Sequence, residues 1–126
     1  MATSSLYRTA PHGVTSRQPP YLNAVVQLAT ALGPDALLNA LQTIERAQKR
    51  RRRARNAPRS IDLDLLTYGA LRRGSGWLQV PHPRLHRRAF VMIPLLEIAP
   101  DLALPGLGRV RKFLPLARAQ RVSRLA

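Results

Sequence analysis

Two carboxylates stand one residue apart in the stretch APRSIDLDLL, residues 57 to 66. The chain has six acidic residues against 21 Lys and Arg, so Asp62 and Asp64 are a third of its carboxylate side chains. In an extended strand alternate side chains share a face. That puts both aspartates on one side and Ile61, Leu63 and Leu65 on the other. The two aspartate Cα atoms are then about 6.5–7 Å apart, close enough for the side chains to converge on one or two cations. Neighbouring carboxylates repel unless a cation or an arginine compensates them. Magnesium is held through one or two carboxylates plus substrate phosphates, with water in the rest of its shell. The pair therefore suits a magnesium–nucleotide site. Taken alone it also suits an exposed strand face whose aspartates meet solvent or an arginine. Arg50, Arg52, Arg55 and Arg59 lie just upstream. Guanidinium groups and divalent cations around a triphosphate are what phosphoryl transfer requires.

These groups need elements to position them. SSLYRTAP reads as a short strand ended by Pro11, HGVTSRQPP as a loop, and YLNAVVQLAT as a β-branched strand. Gly33, Pro34 and Asp35 mark a helix start. The helix PDALLNALQTIERAQ places Leu37, Leu38, Leu41 and Ile44 on an apolar face, with Gln42 and Glu45 together on a neighbouring one. KRRRRARNAPR reads as a mobile basic loop and SIDLDLLTYG as a strand. ALRRGSGW reads as a turn, LQVPHPR as a short strand ended by prolines, and RRAFVMIPLLEIAP as a helix weakened by Pro94. The tail from Asp101 reads as loop followed by a last short helix. Mixed strands and helices without strict alternation point to an α+β fold.

The whole chain sets further bounds. Its 126 residues suit a single domain, and 45% hydrophobic content is too apolar for full disorder. No apolar run is long enough to span a bilayer. Without cysteine there is no disulfide framework, as befits a reducing compartment, and the chain is expected in the cytoplasm. The first residues, rich in Ser, Thr and Arg without acid, have the composition of a mitochondrial transit peptide. SSLYRT nonetheless alternates like a strand, and that reading is preferred. Net charge is +15, and 19 of the 21 basic residues are arginine. Such an excess favours a polyanionic partner, although a GC-rich coding sequence produces the same bias.

The motifs together resemble a known family. APRSIDLDLLTYG followed by VPHPRLHRRAFVMIPLLEIAPDL is similar to 6-hydroxymethyl-7,8-dihydropterin pyrophosphokinase of folate biosynthesis. SLYRTAPHG, PPYLNAVVQLAT and LLNALQTIE resemble that family's preceding segments, in order. The resemblance implies transfer of pyrophosphate from ATP to the pterin hydroxymethyl oxygen, releasing AMP. It implies that Asp62 and Asp64 hold two Mg²⁺ ions and that Arg50 and Arg52 are the catalytic-loop arginines, in a run whose register is open by one residue. Gln42, Glu45, Arg59, Leu65, His82 and Arg88 would lie at the ATP. Tyr21 and Phe90 would flank the pterin ring, Asn23 would bond its edge, and backbone near Thr9, Ala10 and His12 would meet it. A flat ring suits aromatic faces and an amide that both donates and accepts. The implied fold is a ferredoxin-like antiparallel sheet with helices packed on it. The implied partners are ATP and a pterin, with no membrane and no nucleic acid, and the complete protein is expected to be a monomer.

Departures from the pattern qualify these expectations. The family's first strand and helix, with a Gly-Ser-Asn-Leu-Gly-like stretch, are missing, since only MAT precedes SSLYRT. A misplaced start, a degenerate paralogue or a partner that supplies the strand would each account for this. Lys49 stands where a glycine is expected, and Asn56 where an aromatic often stands. Two other readings compete: an inactive truncated homologue, and an Arg-rich nucleic-acid-binding protein. The second is disfavoured because two Phe, three Tyr and one Trp are scattered, whereas RNA modules present sheet aromatics.

Overall fold

The structure is a computed structural model that describes residues 2–9, 21–51, 62–74, 76–117 and 122–125. It is α+β, with antiparallel ladders and helices. Two compact units divide the chain: Met1–Ala29 with Pro83–Ala126, and Thr30–His82.

In the first unit, β1 (Ala2–Thr3) pairs with β4 (Val26–Gln27), and β2 (Tyr7–Thr9) pairs with β3 (Tyr21–Asn23). The expected strands over 4–11 and 21–30 are each shorter and interrupted. Between the two ladders, three residues (Ser4 to Leu6) oppose two (Ala24 and Val25), which is the one-residue excess of a bulge. Ser4 sits at the break. Its N–H donates to the Val25 carbonyl at 2.8 Å, and its hydroxyl accepts the Val25 N–H at 2.8 Å. The buried backbone groups thus stay paired while the register shifts.

On its other edge β2 pairs with β7 (Val122–Arg124), which gives the sheet order β3-β2-β7. The helix α2 (Ala89–Ile98) packs on this sheet and runs through Pro94. Proline has no N–H to offer the Phe90 carbonyl, but its ring is buried and its cost is offset by packing. The stretch RRAFVMIPLLEIAP predicts a helix from Arg87. Residues Leu85–Arg87 instead form a 3-10 turn, and Arg88 is the N-cap. The tail carries its expected short helix in 3-10 form and adds strands that the loop reading lacks. It holds a hairpin of β5 (Ala103–Leu104) and β6 (Gly108–Arg109), a 3-10 segment Val110–Ala117, and β7. The hairpin turn follows from Pro105-Gly106: the Leu107 N–H returns to the Leu104 carbonyl at 3.0 Å, and Gly106 takes φ 79°. Glycine reaches that region without strain. Leu85, Met92, Leu104 and Val110 are fully buried in this unit, each worth roughly 1.5–3 kcal/mol against exposure.

The second unit is organised by α1 (Pro34–Arg51). Its first turn closes through Leu37 N–H to Gly33 carbonyl, 2.9 Å. Leu37 and Leu38 are buried as expected, but Ile44 is 48% exposed, so the apolar stripe covers only the first two turns. The helix also runs into the expected basic loop, as far as Arg51. Alanine, glutamine and basic residues are good helix formers, and cations suit a helix C-terminus. Residues 52–61 lie outside the described residues.

The segment 62–68 belongs to no ladder among the described residues, contrary to the expected strand. Its backbone is bonded otherwise, to a Glu45 carboxylate at Leu63 and to the His82 N–H at Leu66. LQVPHPR likewise forms a single bridge, Val80 to Arg73, rather than a strand. Leu38, Leu78 and Val80 make the core here, with Leu65, Tyr68 and Leu71 packed against it. The Tyr68 hydroxyl donates to the Leu32 carbonyl. Among the described residues no helix is long and apolar enough to cross a membrane.

Candidate functional site

Although no ladder forms there among the described residues, the alternation read from the sequence survives in the aspartate segment. Asp62 and Asp64 are exposed, while Leu63 and Leu65 are half-buried. Leu65 packs on Leu38, Leu78 and Val80, which anchors the segment to the unit's core. Glu45, two turns from the buried leucines of α1, accepts the Leu63 N–H through Oε1 at 2.9 Å. A carboxylate on the helix therefore holds the one residue that separates the two aspartates. Gln42, one turn earlier, is half-buried. Following the aspartates, the chain turns at Gly69, makes its bridge and returns to His82. The His82 N–H donates to the Leu66 carbonyl at 2.7 Å, so His82 is fixed by backbone two residues beyond Asp64.

The donor set fits a hard divalent cation. Neither aspartate is hydrogen-bonded or ion-paired with another described residue. No group of three or more His, Asp or Glu stands together among the described residues. A metal on Asp62 and Asp64 would thus have two oxygen ligands from these side chains and room for phosphate and water. That is magnesium chemistry rather than the closed nitrogen and sulfur shell of a structural zinc.

The expected pterin-side residues lie in the other unit. Tyr21 and Thr9 are ladder partners, as are Asn23 and Tyr7. The Asn23 amide donates to the Thr9 hydroxyl at 2.7 Å. Thr9 thereby fixes the amide plane, leaving Asn23 Oδ1 to accept from a ring and the second Nδ2 N–H to donate to it. Phe90 is half-buried in the first turn of α2, and the Arg88 guanidinium carbon lies 5.5 Å from its ring centroid. This is a cation–π contact between a residue expected at ATP and one expected at the pterin.

The structure therefore brings Glu45, Asp62 and Asp64 together in one unit, and pairs Thr9 with Asn23 and Arg88 with Phe90 in the other. Ala10, His12, Arg52 and Arg59 lie outside the described residues. Arg50 is placed in the last turn of α1 by its backbone alone. Two relationships went unread in the sequence: Glu45 on the Leu63 N–H, and the Thr9 hydroxyl on Asn23. Both are bonds between elements, and neither leaves a spacing signal.

Comparison with known proteins shows the family. The family model of 7,8-dihydro-6-hydroxymethylpterin-pyrophosphokinase matches residues 1–100, and the chain belongs to that family. Among its relatives is the 2-amino-4-hydroxy-6-hydroxymethyldihydropteridine pyrophosphokinase of Haemophilus influenzae, 46% identical over 106 residues. That alignment covers 84% of this chain and 66% of the relative. The protein of the same name from Pseudomonas aeruginosa is 41% identical over 125 residues, 99% of this chain and 76% of the relative. The mitochondrial folate synthesis bifunctional protein of Arabidopsis thaliana is 50% identical over 95 residues, 75% of this chain and 17% of the relative. The chain thus spans under two thirds of the Arabidopsis and Haemophilus proteins.

Proposed function

We propose that this chain carries the site of a pyrophosphokinase that transfers the β,γ-diphosphate of ATP to the hydroxymethyl oxygen of 6-hydroxymethyl-7,8-dihydropterin. The observation that supports it most is the exposed Asp62–Asp64 pair, braced at Leu63 by Glu45 and backed by the core through Leu65. In the reaction the pterin oxygen bonds to the β-phosphorus and the bond from that phosphorus to the α-phosphate oxygen breaks. AMP leaves with that oxygen, and the hydroxyl proton passes to solvent. Little of this needs covalent help from the protein; alignment and charge neutralisation carry it.

Asp62 and Asp64 would hold two magnesium ions, which when bound would neutralise the phosphate oxygens. Gln42, Glu45, Arg59, Leu65, His82 and Arg88 would contact the nucleotide, and Arg50 and Arg52 would act as the catalytic-loop arginines. Asn23 would present Oδ1 to a ring donor, with Phe90 and Tyr21 on the ring faces.

The test is incubation with ATP, magnesium and the pterin, followed by chromatography. AMP and diphosphorylated pterin in equal amounts are expected. ADP with a monophosphorylated pterin, or no magnesium-dependent product, would contradict the reading.

A further inference from the structure

We infer that Glu45 is a positioning residue for the Asp62–Asp64 pair, setting the direction of both carboxylates through the backbone of Leu63. The inference rests on the proposed role of the aspartates as metal ligands. Among the described residues no adjacent strand bonds to residues 62–68, so within them ladder hydrogen bonds do not fix the torsions on either side of Leu63. Those torsions decide whether the two flanking side chains point the same way. The Glu45 Oε1 bond to the Leu63 N–H, 2.9 Å, supplies that restraint from an 18-residue helix. The helix is itself anchored by Leu37 and Leu38, and Leu65 packs on the same core as Leu38. The aspartate segment is therefore tied to α1 at two consecutive inward positions, by a charge-assisted bond at Leu63 and by apolar packing at Leu65. Hydrogen bonds to an ionised acceptor are stronger than neutral ones. Groups that orient metal ligands typically govern affinity by about 10- to 100-fold.

The experiment reads metal binding directly, with Mn²⁺ as the probe, by electron paramagnetic resonance without nucleotide, so that a contact of Glu45 with ATP does not enter the readout. Glu45→Gln removes the charge but keeps an acceptor oxygen, and is expected to bind Mn²⁺ within about threefold of the unmodified chain. Glu45→Ala removes the acceptor and is expected to weaken Mn²⁺ binding about 10- to 100-fold. Should Glu45→Ala fail to fold, Glu45→Asp serves in its place, since it keeps the charge, withdraws the acceptor by one methylene and is expected to weaken binding likewise. Unchanged affinity in Glu45→Ala or Glu45→Asp overturns the inference, as does a Glu45→Gln protein as weak as Glu45→Ala. Asp62→Asn separates the two levels. If it loses Mn²⁺ while Glu45→Ala keeps it, the positioning role alone falls. If the unmodified chain binds no Mn²⁺, the metal reading and the positioning role fall together.

Discussion

The Tyr7 hydroxyl donates a 2.7 Å hydrogen bond to Glu97 Oε1, joining the central strand β2 to the last turn of α2. The same carboxylate accepts the Ser5 N–H at 2.9 Å and the Ser5 hydroxyl at 2.8 Å, and an Arg124 guanidinium nitrogen on β7 lies 3.8 Å away. One carboxylate thus gathers the bulge before β2, β2 itself, and the partner strand β7. The sheet that carries Thr9 and Asn23 is thus braced at Tyr7, the ladder partner of Asn23.

The Tyr7 bond, then the Ser5 N–H and the Ser5 hydroxyl, hold the Glu97 carboxyl below its ordinary value of 4.5. A depressed carboxyl contributes stability above the unfolded value and loses it as pH falls through the folded one. Glu97→Gln is therefore expected to flatten the acid limb of stability as pH falls below 4.5, read by urea unfolding with circular dichroism. Parallel loss in both proteins would refute this role. Burial, then the Glu97 bond, push the Tyr7 hydroxyl above 10.0, so its contribution is present below that pH and fades above it. Tyr7→Phe keeps the ring and is expected to cost about 1 kcal/mol at neutral pH.

Asp35 offers a second titration with an internal reporter. Its carboxylate accepts an Arg73 guanidinium N–H at 2.7 Å and the Trp77 indole N–H at 2.9 Å. The Arg73 bond, helped by Trp77, holds it below the ordinary 3.8. Trp77 is the chain's only tryptophan. Its fluorescence is expected to hold steady as pH falls to 3.8 and to change below it, and this step should vanish in Asp35→Asn. A step at or above 3.8 would show that the contact is not formed.

Thr9 predicts a division between the two substrates. Thr9→Val removes the hydroxyl that accepts from Asn23 and keeps the strand's shape. One lost hydrogen bond of about 0.5–1.5 kcal/mol corresponds to roughly 2- to 12-fold. That loss is expected in kcat/KM for the pterin, with the KM for ATP unchanged. Equal effects on both substrates would indicate a general disturbance instead.

Much of this arrangement could be read from residue types, for reasons that differ by element. Helix α1 was legible because Leu37 and Leu38 recur with Leu41 at helical spacing, though the stripe gave no warning that Ile44 would face solvent. The outward aspartates were legible because alternation belongs to the chain itself. That no described strand pairs with them was not legible, because pairing depends on what lies alongside. β7 was illegible for the same reason. Val-Ser-Arg is too short to show a pattern, and its partner Tyr7–Thr9 lies more than a hundred residues earlier. The β5–β6 hairpin did carry a signal, Pro105-Gly106, but with two-residue strands on either side it passed for a loop.

The central claim, that Asp62 and Asp64 anchor the metal and nucleotide, is tested most directly by turnover of Asp62→Asn and Asp64→Asn in a form of the protein that releases AMP. Loss of several kcal/mol of charge stabilisation corresponds to a fall on the order of 10³-fold in each variant, with the circular dichroism spectrum unchanged. Magnesium-dependent AMP release near the unmodified rate in either variant would contradict it.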